Sequence, residues 1–241
     1  MNVSNTTVKS IAIVQSNYVP WKGYFDMIRA VDEFILYDDV QYTRRDWRNR
    51  NRIKTPDGTQ WLTIPVNVKG KFLQKIKDTR VSDRDWSRQH WQTLKCCYGK
   101  APFFNDVKDR LETFYLGETS QWLSEINREL IQLVCSLLGV TTQVGSSSDF
   151  RLTESAPSAR LLEICRQSAA NEYLSGPAAR DYLDVPLFEQ AGTRVRWMDY
   201  AGYRPYVQLH GPFEHAVSIL DLLFMTGPAA PRYLERQCHA A

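Results

Sequence analysis

Ser10-Ile-Ala-Ile-Val14 is a short, continuous apolar run, and runs of this kind form buried strands. The residues that follow, Gln15-Ser-Asn-Tyr-Val-Pro-Trp-Lys-Gly-Tyr24, are rich in turn-forming types. A helix is predicted from about Trp21 to Val31, and Glu33-Phe-Ile-Leu-Tyr37 is the second predicted strand. The beginning of the chain therefore alternates buried strands with a helix.

The same alternation returns in the last third of the chain. Strands are predicted at Thr141 to Val144, Asn171 to Leu174 and Thr193 to Met198, and helices at Pro157 to Ser168, Arg180 to Ala191 and about Phe213 to Met225. A further strand, Thr59 to Val66, follows the turn at Asp57-Gly58. Alternation at both ends predicts an α/β fold, with a mostly parallel sheet flanked by helices in a Rossmann-like arrangement.

The middle of the sequence, from about residue 82 to 139, is predicted to be an all-helical insertion. Ser82 and Asp85 have the spacing of a capping box before the first helix, and Pro102 occupies the place of a first helical residue in the second. The third helix is predicted from about Ser120 to Leu138 and stops at Gly139. No linker or repeat interrupts the chain, so a single α/β domain over residues 1 to 241 is expected.

Composition excludes several protein classes. The chain has 241 residues, of which 43% are hydrophobic and 24% charged, and this profile excludes collagen-like and intrinsically disordered proteins. No apolar run approaches the roughly 20 residues that span a bilayer, and the polar stretch Met1 to Lys9 has no signal-peptide core, so a cytoplasmic location is expected. Five cysteines without CxxC spacing predict reduced thiols rather than a zinc site.

The net charge of +3 has a local origin. The segment from Arg44 to Lys54 contains six bases and one acid, Asp46, whereas the other 230 residues contain 24 bases and 26 acids. Arginine suits bidentate recognition of phosphate, and the interleaved Trp47, Asn49 and Asn51 can stack on a ring or hydrogen bond to it. This predicted loop favours a phosphorylated small molecule. A solvated charged loop is the alternative, and nucleic acid would require a larger basic footprint.

Polar residues follow each predicted strand, at the edge where ligands bind in open α/β sheets. Gln15, Ser16 and Asn17 follow the first strand, and Asp38 and Asp39 follow the second. Ser175-Gly176 and Asp199 follow two later strands. Asp38 or Asp39 is a candidate general base or Mg²⁺ ligand, and the alternative is that the pair caps a turn or neutralises the arginines.

Four histidines limit the choice of a general acid or base that works near neutral pH. His90 lies among aromatic residues of a predicted helix, where a hydrogen-bonded core histidine is the alternative to a catalyst, and His210 is a loop candidate. There is no glycine-rich phosphate loop, HExxH metal motif or GxSxG elbow. The segment Pro20 to Tyr24 has the position, but not the histidines, of the HxGH signature of nucleotidylyl transferases.

Long motifs closely resemble the WbqC-like protein family between about residues 10 and 230. They are Ile13-Val-Gln15-Ser-Asn-Tyr18-Val-Pro20-Trp21-Lys-Gly23-Tyr24-Phe25-Asp26, Tyr37-Asp38-Asp39-Val-Gln41-Tyr42-Thr-Arg-Arg45-Asp-Trp47-Arg-Asn49-Arg50-Asn51, Tyr173-Leu-Ser175-Gly176-Pro-Ala-Ala-Arg180-Asp181-Tyr182-Leu, and Ser218-Ile-Leu-Asp221-Leu-Leu-Phe224 followed by Gly227. Proteins of this family are associated with gene clusters for bacterial O-antigen and for related surface or secondary-metabolite sugars. The resemblance implies a transferase that attaches an acyl or aminoacyl group, such as glycyl, to the amine of a nucleotide-linked amino sugar.

Together, residues and resemblance define the expected site. The candidate catalytic residues are His90, Asp38 and Asp39, and the candidate substrate-binding residues are Gln15, Tyr18, Trp21, Lys22, Arg45, Trp47, Arg48, Arg50, Asn51, Lys54, Ser175, Gly176, Arg180, Asp181 and His210. The expected partners are a nucleotide sugar and an acyl or peptidyl carrier protein. No cofactor is required if the amine attacks a thioester, whereas ATP and Mg²⁺ are needed if the acyl group is activated here. The alternatives are a non-catalytic adaptor for these partners and a nucleotidylyl-transferase-like enzyme.

Overall fold

The structure is a computed structural model that describes residues 8 to 235. Most of the polar N-terminal stretch and His239 lie outside the described residues. Seven strands and seven α-helices are present in this range. The strands are β1 (Ser10–Val14), β2 (Glu33–Leu36), β3 (Arg50–Thr55), β4 (Gly58–Thr63), β5 (Gln143–Ser146), β6 (Glu172–Ser175) and β7 (Arg194–Trp197). The helices are α1 (Lys22–Arg29), α2 (Trp86–Tyr98), α3 (Phe104–Leu116), α4 (Leu123–Leu138), α5 (Pro157–Gln167), α6 (Val185–Gln190) and α7 (Ile219–Thr226).

Five strands form a parallel sheet in the order β5-β2-β1-β6-β7, which confirms the predicted α/β class. The apolar run that begins the sequence is its central strand, with Ile11 and Ala12 fully buried. Strands buried on both faces are typical of parallel sheets, and this explains why β1 has no polar alternation. Helices α5 and α6 contribute Leu162, Ile164 and Phe188 to the core that covers the sheet.

The predicted helical insertion is confirmed, because α2, α3 and α4 follow one another between β4 and β5 along the chain. These helices do not begin at the residues that the sequence predicts. Helix α2 begins at Trp86 with Asp85 at the N-cap, and the Asp85 side chain makes no capping hydrogen bond. The capping-box prediction was therefore wrong. Helix α4 ends as predicted at Gly139, whose φ of 67° is the left-handed conformation that favours glycine at this position.

The predicted arginine loop is partly a strand, and this corrects the sequence interpretation. Residues Arg50–Thr55 form β3, which pairs antiparallel with β4 in a separate two-stranded sheet. Asn51 and Ile53 are buried, whereas Arg50 and Arg52 are partly exposed. The first four residues of the strand thus alternate, but an asparagine takes the place of one apolar residue and hides the pattern, and Lys54 and Thr55 are buried as well.

Two predicted helices were also too long. Pro177–Asp181 is a short 3-10 turn, and α6 begins only at Val185, so the helix predicted from Arg180 is broken. The last helix, α7, begins at Ile219 rather than near Phe213. The Ser218 side chain accepts a hydrogen bond from the Leu220 backbone, which fixes this later start.

The contacts divide the chain into two compact units. Among the described residues, the sheet unit comprises 8–14, 27–37 and 142–199, and the helical unit comprises 15–26, 38–141 and 200–235. The sheet unit contains the five parallel strands with α5 and α6. The helical unit contains the β3–β4 hairpin, α2 to α4 and α7, and it also contains most of the candidate site residues.

Candidate functional site

The polar segment after β1 lies in the helical unit and contacts Asp38. The Ser16 backbone N–H donates to Asp38 Oδ1 over 2.9 Å, and both residues are buried. Burial raises the pKa of Asp38, although the hydrogen bonds from Ser16 and the nearby charge of Arg48 oppose this shift. The structure thus provides a carboxyl group that is more basic than an ordinary aspartate.

Arg48 and Asn127 also hydrogen bond to this segment. The Arg48 guanidinium donates to the Asn17 side-chain oxygen and to the Ser16 carbonyl, the latter over 3.4 Å. The Asn127 amide donates to Ser16 Oγ over 3.0 Å and to the Arg48 carbonyl over 2.9 Å. Asn127 is fully buried, and its side-chain oxygen has no hydrogen-bond partner among the described residues. A polar network therefore fixes the position of Asn17.

A cavity of ≈ 240 Å³ adjoins this network, because Asn17 is part of its wall. The wall is otherwise largely aromatic and apolar. Its residues are Asn17, Pro20, Trp21, Trp47, Asn51 and Ala216. The Asn51 amide donates to the Tyr18 and Val19 carbonyls and so shapes the loop that forms one side. A wall with two indole rings and a few amides suits a planar or sugar ring.

Two arginines of β3 lie over the Trp61 ring of β4 in the hairpin. The Arg50 guanidinium lies 4.0 Å from the centre of the Trp61 ring, and Arg52 lies 5.8 Å from it. The Trp47 ring is 5.3 Å from the Trp61 ring, and both indoles are about 40% exposed. Trp47 also lines the cavity, so the Trp47 and Trp61 rings connect the cavity wall with the arginines of β3.

The basic residues of the arginine run have different partners. Arg44 donates to the Val68 carbonyl over 2.7 Å, and Arg48 pairs with Asp46 at 3.5 Å. The Lys54 ammonium is buried and donates to the Pro212 carbonyl over 2.5 Å. Arg45, Arg50 and Arg52 have no carboxylate within salt-bridge distance in the part of the chain that the structure describes. Arg45 has a φ of 60°, and its carbonyl accepts a hydrogen bond from Arg50.

Asp39 pairs with two lysines of the loop between β4 and α2. Its Oδ1 lies 2.6 Å from the Lys77 ammonium and 3.4 Å from that of Lys75. The carboxylate is mostly buried, with 8% of the side chain exposed. The two adjacent aspartates therefore have different environments: Asp38 contacts the segment that follows β1, and Asp39 pairs with two lysines.

His90 lies in an aromatic cluster of the helical unit. Its Nδ1 is 2.8 Å from the Tyr18 hydroxyl, which is in turn 2.8 Å from the Tyr115 hydroxyl. The Trp86 ring packs against the imidazole with a centroid distance of 5.2 Å. Burial lowers the pKa of His90 to about 4, so the imidazole is neutral at pH 7. Tyr18, predicted to bind substrate, is fully buried in the same cluster.

Lys22 is buried among aromatic rings at the start of α1. Its ammonium donates to the Arg204 carbonyl over 3.0 Å and lies 5.1 Å from the centre of the Tyr203 ring. The rings of Tyr206 and Phe213 lie 5.5 and 5.7 Å away. Burial lowers the pKa of Lys22 to about 8. The neighbouring Trp21 reaches the cavity wall, but Lys22 is not part of that wall.

The remaining candidates occupy other positions. His210 Nε2 hydrogen bonds to the Cys97 carbonyl, and the Gln15 carbonyl accepts from the Tyr24 hydroxyl. Four candidates lie in the sheet unit: Ser175, Gly176, Arg180 and Asp181. There Ser175 is buried at the end of β6, and the exposed Arg180 lies 5.4 Å from the Trp197 ring.

Sequence reasoning missed three parts of the helical unit. Asn127 was hidden in the apolar stripe of α4, although an amide between Ile126 and Leu130 is itself a signal. Trp61 was not related to the arginines, because cross-strand pairing with Arg52 is visible only in the hairpin. Asp221, fully buried, accepts hydrogen bonds from a set of side chains distant in sequence, namely Tyr98, Tyr206 and Gln208.

Residues 8 to 235 contain no group of three or more His, Cys, Asp or Glu side chains that could hold a metal ion. Within the same range, no helix is both long and apolar enough to cross a bilayer.

Comparison with known proteins relates the chain to one family. The model of the WbqC-like protein family matches residues 15–233. The chain is 53% identical over 231 residues to the uncharacterized protein Rv1507c of Mycobacterium tuberculosis (strain ATCC 25618 / H37Rv), with 96% of this chain and 99% of the relative covered. No solved structure matches the chain significantly.

Proposed function

The chain belongs to the WbqC-like protein family, and from that premise we propose that it is a transferase that adds an acyl or aminoacyl group to the amine of a nucleotide-linked amino sugar. The observation that carries the proposal is an aromatic cavity whose Trp47 packs against Trp61, the ring on which Arg50 lies. Among residues 8 to 235, Arg50 and Arg52 have no carboxylate within salt-bridge distance. A ligand that fits both must combine a ring with negatively charged groups. A nucleotide sugar has this chemistry, and its place is the biosynthesis of surface or secondary-metabolite sugars.

The cavity and the hairpin have complementary roles in substrate binding. Trp21 and Trp47 stack on the base or the sugar, since indole rings bind planar and sugar faces through dispersion. Arg50 and Arg52 bind the diphosphate, and their stacking on Trp61 holds the guanidinium groups in place before substrate arrives. Arg48 has a different role, because it holds Asn17 in the cavity wall.

Asp38 is the proposed proton acceptor. The amine nitrogen attacks the acyl carbonyl, the C–N bond forms, the bond to the leaving group breaks, and the amine proton passes to the Asp38 carboxylate. Burial raises the pKa of Asp38, which makes it a better base than Asp39, whose charge is neutralised by Lys75 and Lys77. His90 is a weaker candidate because its pKa is about 4 and Tyr18 already occupies its Nδ1.

Binding is tested by titrating the purified chain with uridine diphosphate and thymidine diphosphate in a calorimeter. Arg50→Ala and Trp47→Ala should weaken binding about tenfold or more, because each removes a charge-assisted or stacking contact. Arg128→Ala, which removes an exposed arginine of α4, is the matched control and should leave the affinity unchanged. Equal affinities of the Arg50 and Arg128 variants would contradict the assignment of the site.

Transfer is tested by mass spectrometry with a nucleotide-linked amino sugar and an acyl thioester. The wild type should form the amide, and Asp38→Asn should lower kcat while the affinity for the nucleotide stays the same. Nucleotide binding without any turnover by the purified protein would reject the transferase and support the adaptor alternative.

A further inference from the structure

Two of the most exposed apolar side chains are neighbours in the helical unit. Phe72 and Leu73 are 77% and 78% exposed and follow each other in the loop between β4 and α2. Two large apolar side chains that extend into water together are energetically unfavourable unless a membrane or another protein surface covers them. Neither side chain belongs to the wall of the cavity described above.

The loop that carries them is held by hydrogen bonds rather than by these side chains. The Lys71 N–H donates to the Val68 carbonyl and the Gln74 N–H to the Lys71 carbonyl, each over 3.3 Å. The Gln74 amide also donates to the Asn67 carbonyl over 2.9 Å, which closes the loop at its base. Beyond that base, Ile76 is fully buried and anchors the segment. The backbone therefore presents Phe72 and Leu73 outward.

Positive charge surrounds this apolar tip. The segment from Val66 to Lys77 contains four lysines and no acid. Lys75 and Lys77 pair with Asp39, whereas Lys69 and Lys71 are exposed. The Arg44 guanidinium joins them, because it donates to the Val68 carbonyl at the start of the loop. Residues 67 to 74 thus form an apolar tip on a cationic base.

We propose that residues 67 to 74 are a lipid-anchoring loop that docks the protein on an anionic bilayer surface. Phe72 and Leu73 enter the boundary between headgroups and acyl chains, and Arg44, Lys69 and Lys71 contact the lipid phosphates. A folded protein partner fits less well, because a stable interface buries about 800 Å² on each side and two protruding side chains with three cations cover only a small footprint. A fluid bilayer can accommodate the insertion of two side chains without a large preformed interface.

The test measures binding of the full chain to vesicles by co-sedimentation. We expect binding to phosphatidylcholine vesicles that contain about one third phosphatidylglycerol, and little binding to pure phosphatidylcholine. The double variants Phe72→Ser with Leu73→Ser, and Lys69→Glu with Lys71→Glu, should each lower the partition coefficient about tenfold or more. The matched control is Val207→Ser, because Val207 is 82% exposed. This control should bind like the wild type.

Insertion has a separate readout. Phe72→Trp should be quenched by lipids brominated near the headgroup end of the acyl chains, but only in anionic vesicles. Equal binding to anionic and neutral vesicles, wild-type binding by the Phe72 and Leu73 double variant, or the absence of quenching would each overturn the proposal. Thermal unfolding of each variant is recorded alongside. Because the substituted side chains are exposed, the melting temperatures of the variants should match that of the wild type.

Discussion

Replacement of His90 by glutamine should remove a defined part of the acid sensitivity of the protein. The imidazole is 7% exposed, and its Nδ1 lies 2.8 Å from the Tyr18 hydroxyl. Protonation would place a charge in this aromatic cluster. The amide of glutamine has a similar reach, can donate or accept, and does not titrate, so the variant keeps the contact with Tyr18 and loses the pH dependence.

The magnitude follows from the lowered pKa. The folded protein has a His90 pKa of about 4, against 6.5 for an ordinary histidine. Between these two values the unfolded chain binds the proton and the folded chain does not, so stability falls as the pH falls. Integrated from pH 7.5 down to about pH 4.5, this one group lowers the free energy of unfolding by about 2.5 kcal/mol. At pH 7.5 its effect is close to zero.

Urea unfolding of wild type and His90→Gln at both pH values provides the measurement. The wild type should lose about 2.5 kcal/mol more than the variant between pH 7.5 and 4.5. Carboxyl groups with a lowered pKa, such as Asp32 and Asp46, also reduce stability in acid, but they do so equally in both proteins. An identical loss in the two proteins would refute the reasoning. Unchanged stability with a lower kcat in the variant would instead support catalysis by His90.

Three further predictions concern stability, each measured by urea unfolding. Asp221→Ala should cost about 3 to 5 kcal/mol because it leaves buried donors, among them the Tyr98 hydroxyl, without an acceptor, and Asp221→Asn should cost clearly less. Gly227→Ala should cost about 2 kcal/mol or more, because φ is 49° and a Cβ would lie 2.3 Å from the Phe103 ring; an unaffected variant would contradict this packing. The lowered pKa of Lys22 predicts that stability rises between pH 8 and 10.5, since the folded chain then binds fewer protons, and that Lys22→Met lacks this rise.

The fold was predicted correctly where burial alone determines the hydrophobic pattern of the sequence. Residues Ser10–Val14 form β1 as predicted, because a central parallel strand is apolar on both faces. The prediction failed where a polar side chain is buried by tertiary contacts. In β3, Asn51 is 2% exposed because the Tyr18 and Val19 carbonyls accept its N–H groups, and those carbonyls lie more than 30 residues away. No local pattern contains that information.

The candidate site residues differ in how much of their surroundings the sequence could predict. Sequence reasoning proposed Asp38 and Trp47 from their types and positions, and the structure places Trp47 with Asn17 in the cavity wall and Asp38 against the Ser16 backbone. It did not distinguish Asp38 from Asp39, because the distinction depends on Lys75 and Lys77 from a separate loop. Local charge counting also missed the lysines of residues 69 to 77, since acids elsewhere balance them in the total.

The basic residues of the arginine run differ in whether they bind groups of the protein or remain for a ligand, and this difference decides which anions the site can bind. Six bases within eleven residues resemble a polyanion-binding segment, yet the Arg48 guanidinium pairs with Asp46 and the buried Lys54 ammonium donates to the Pro212 carbonyl. Arg50 and Arg52 lie over the Trp61 ring of the hairpin. Because the logarithm of nucleic-acid affinity changes with salt roughly in proportion to the phosphates neutralised, so small a set of cations predicts a shallow salt dependence. Such a set matches the two phosphates of a diphosphate better than it matches a nucleic-acid backbone.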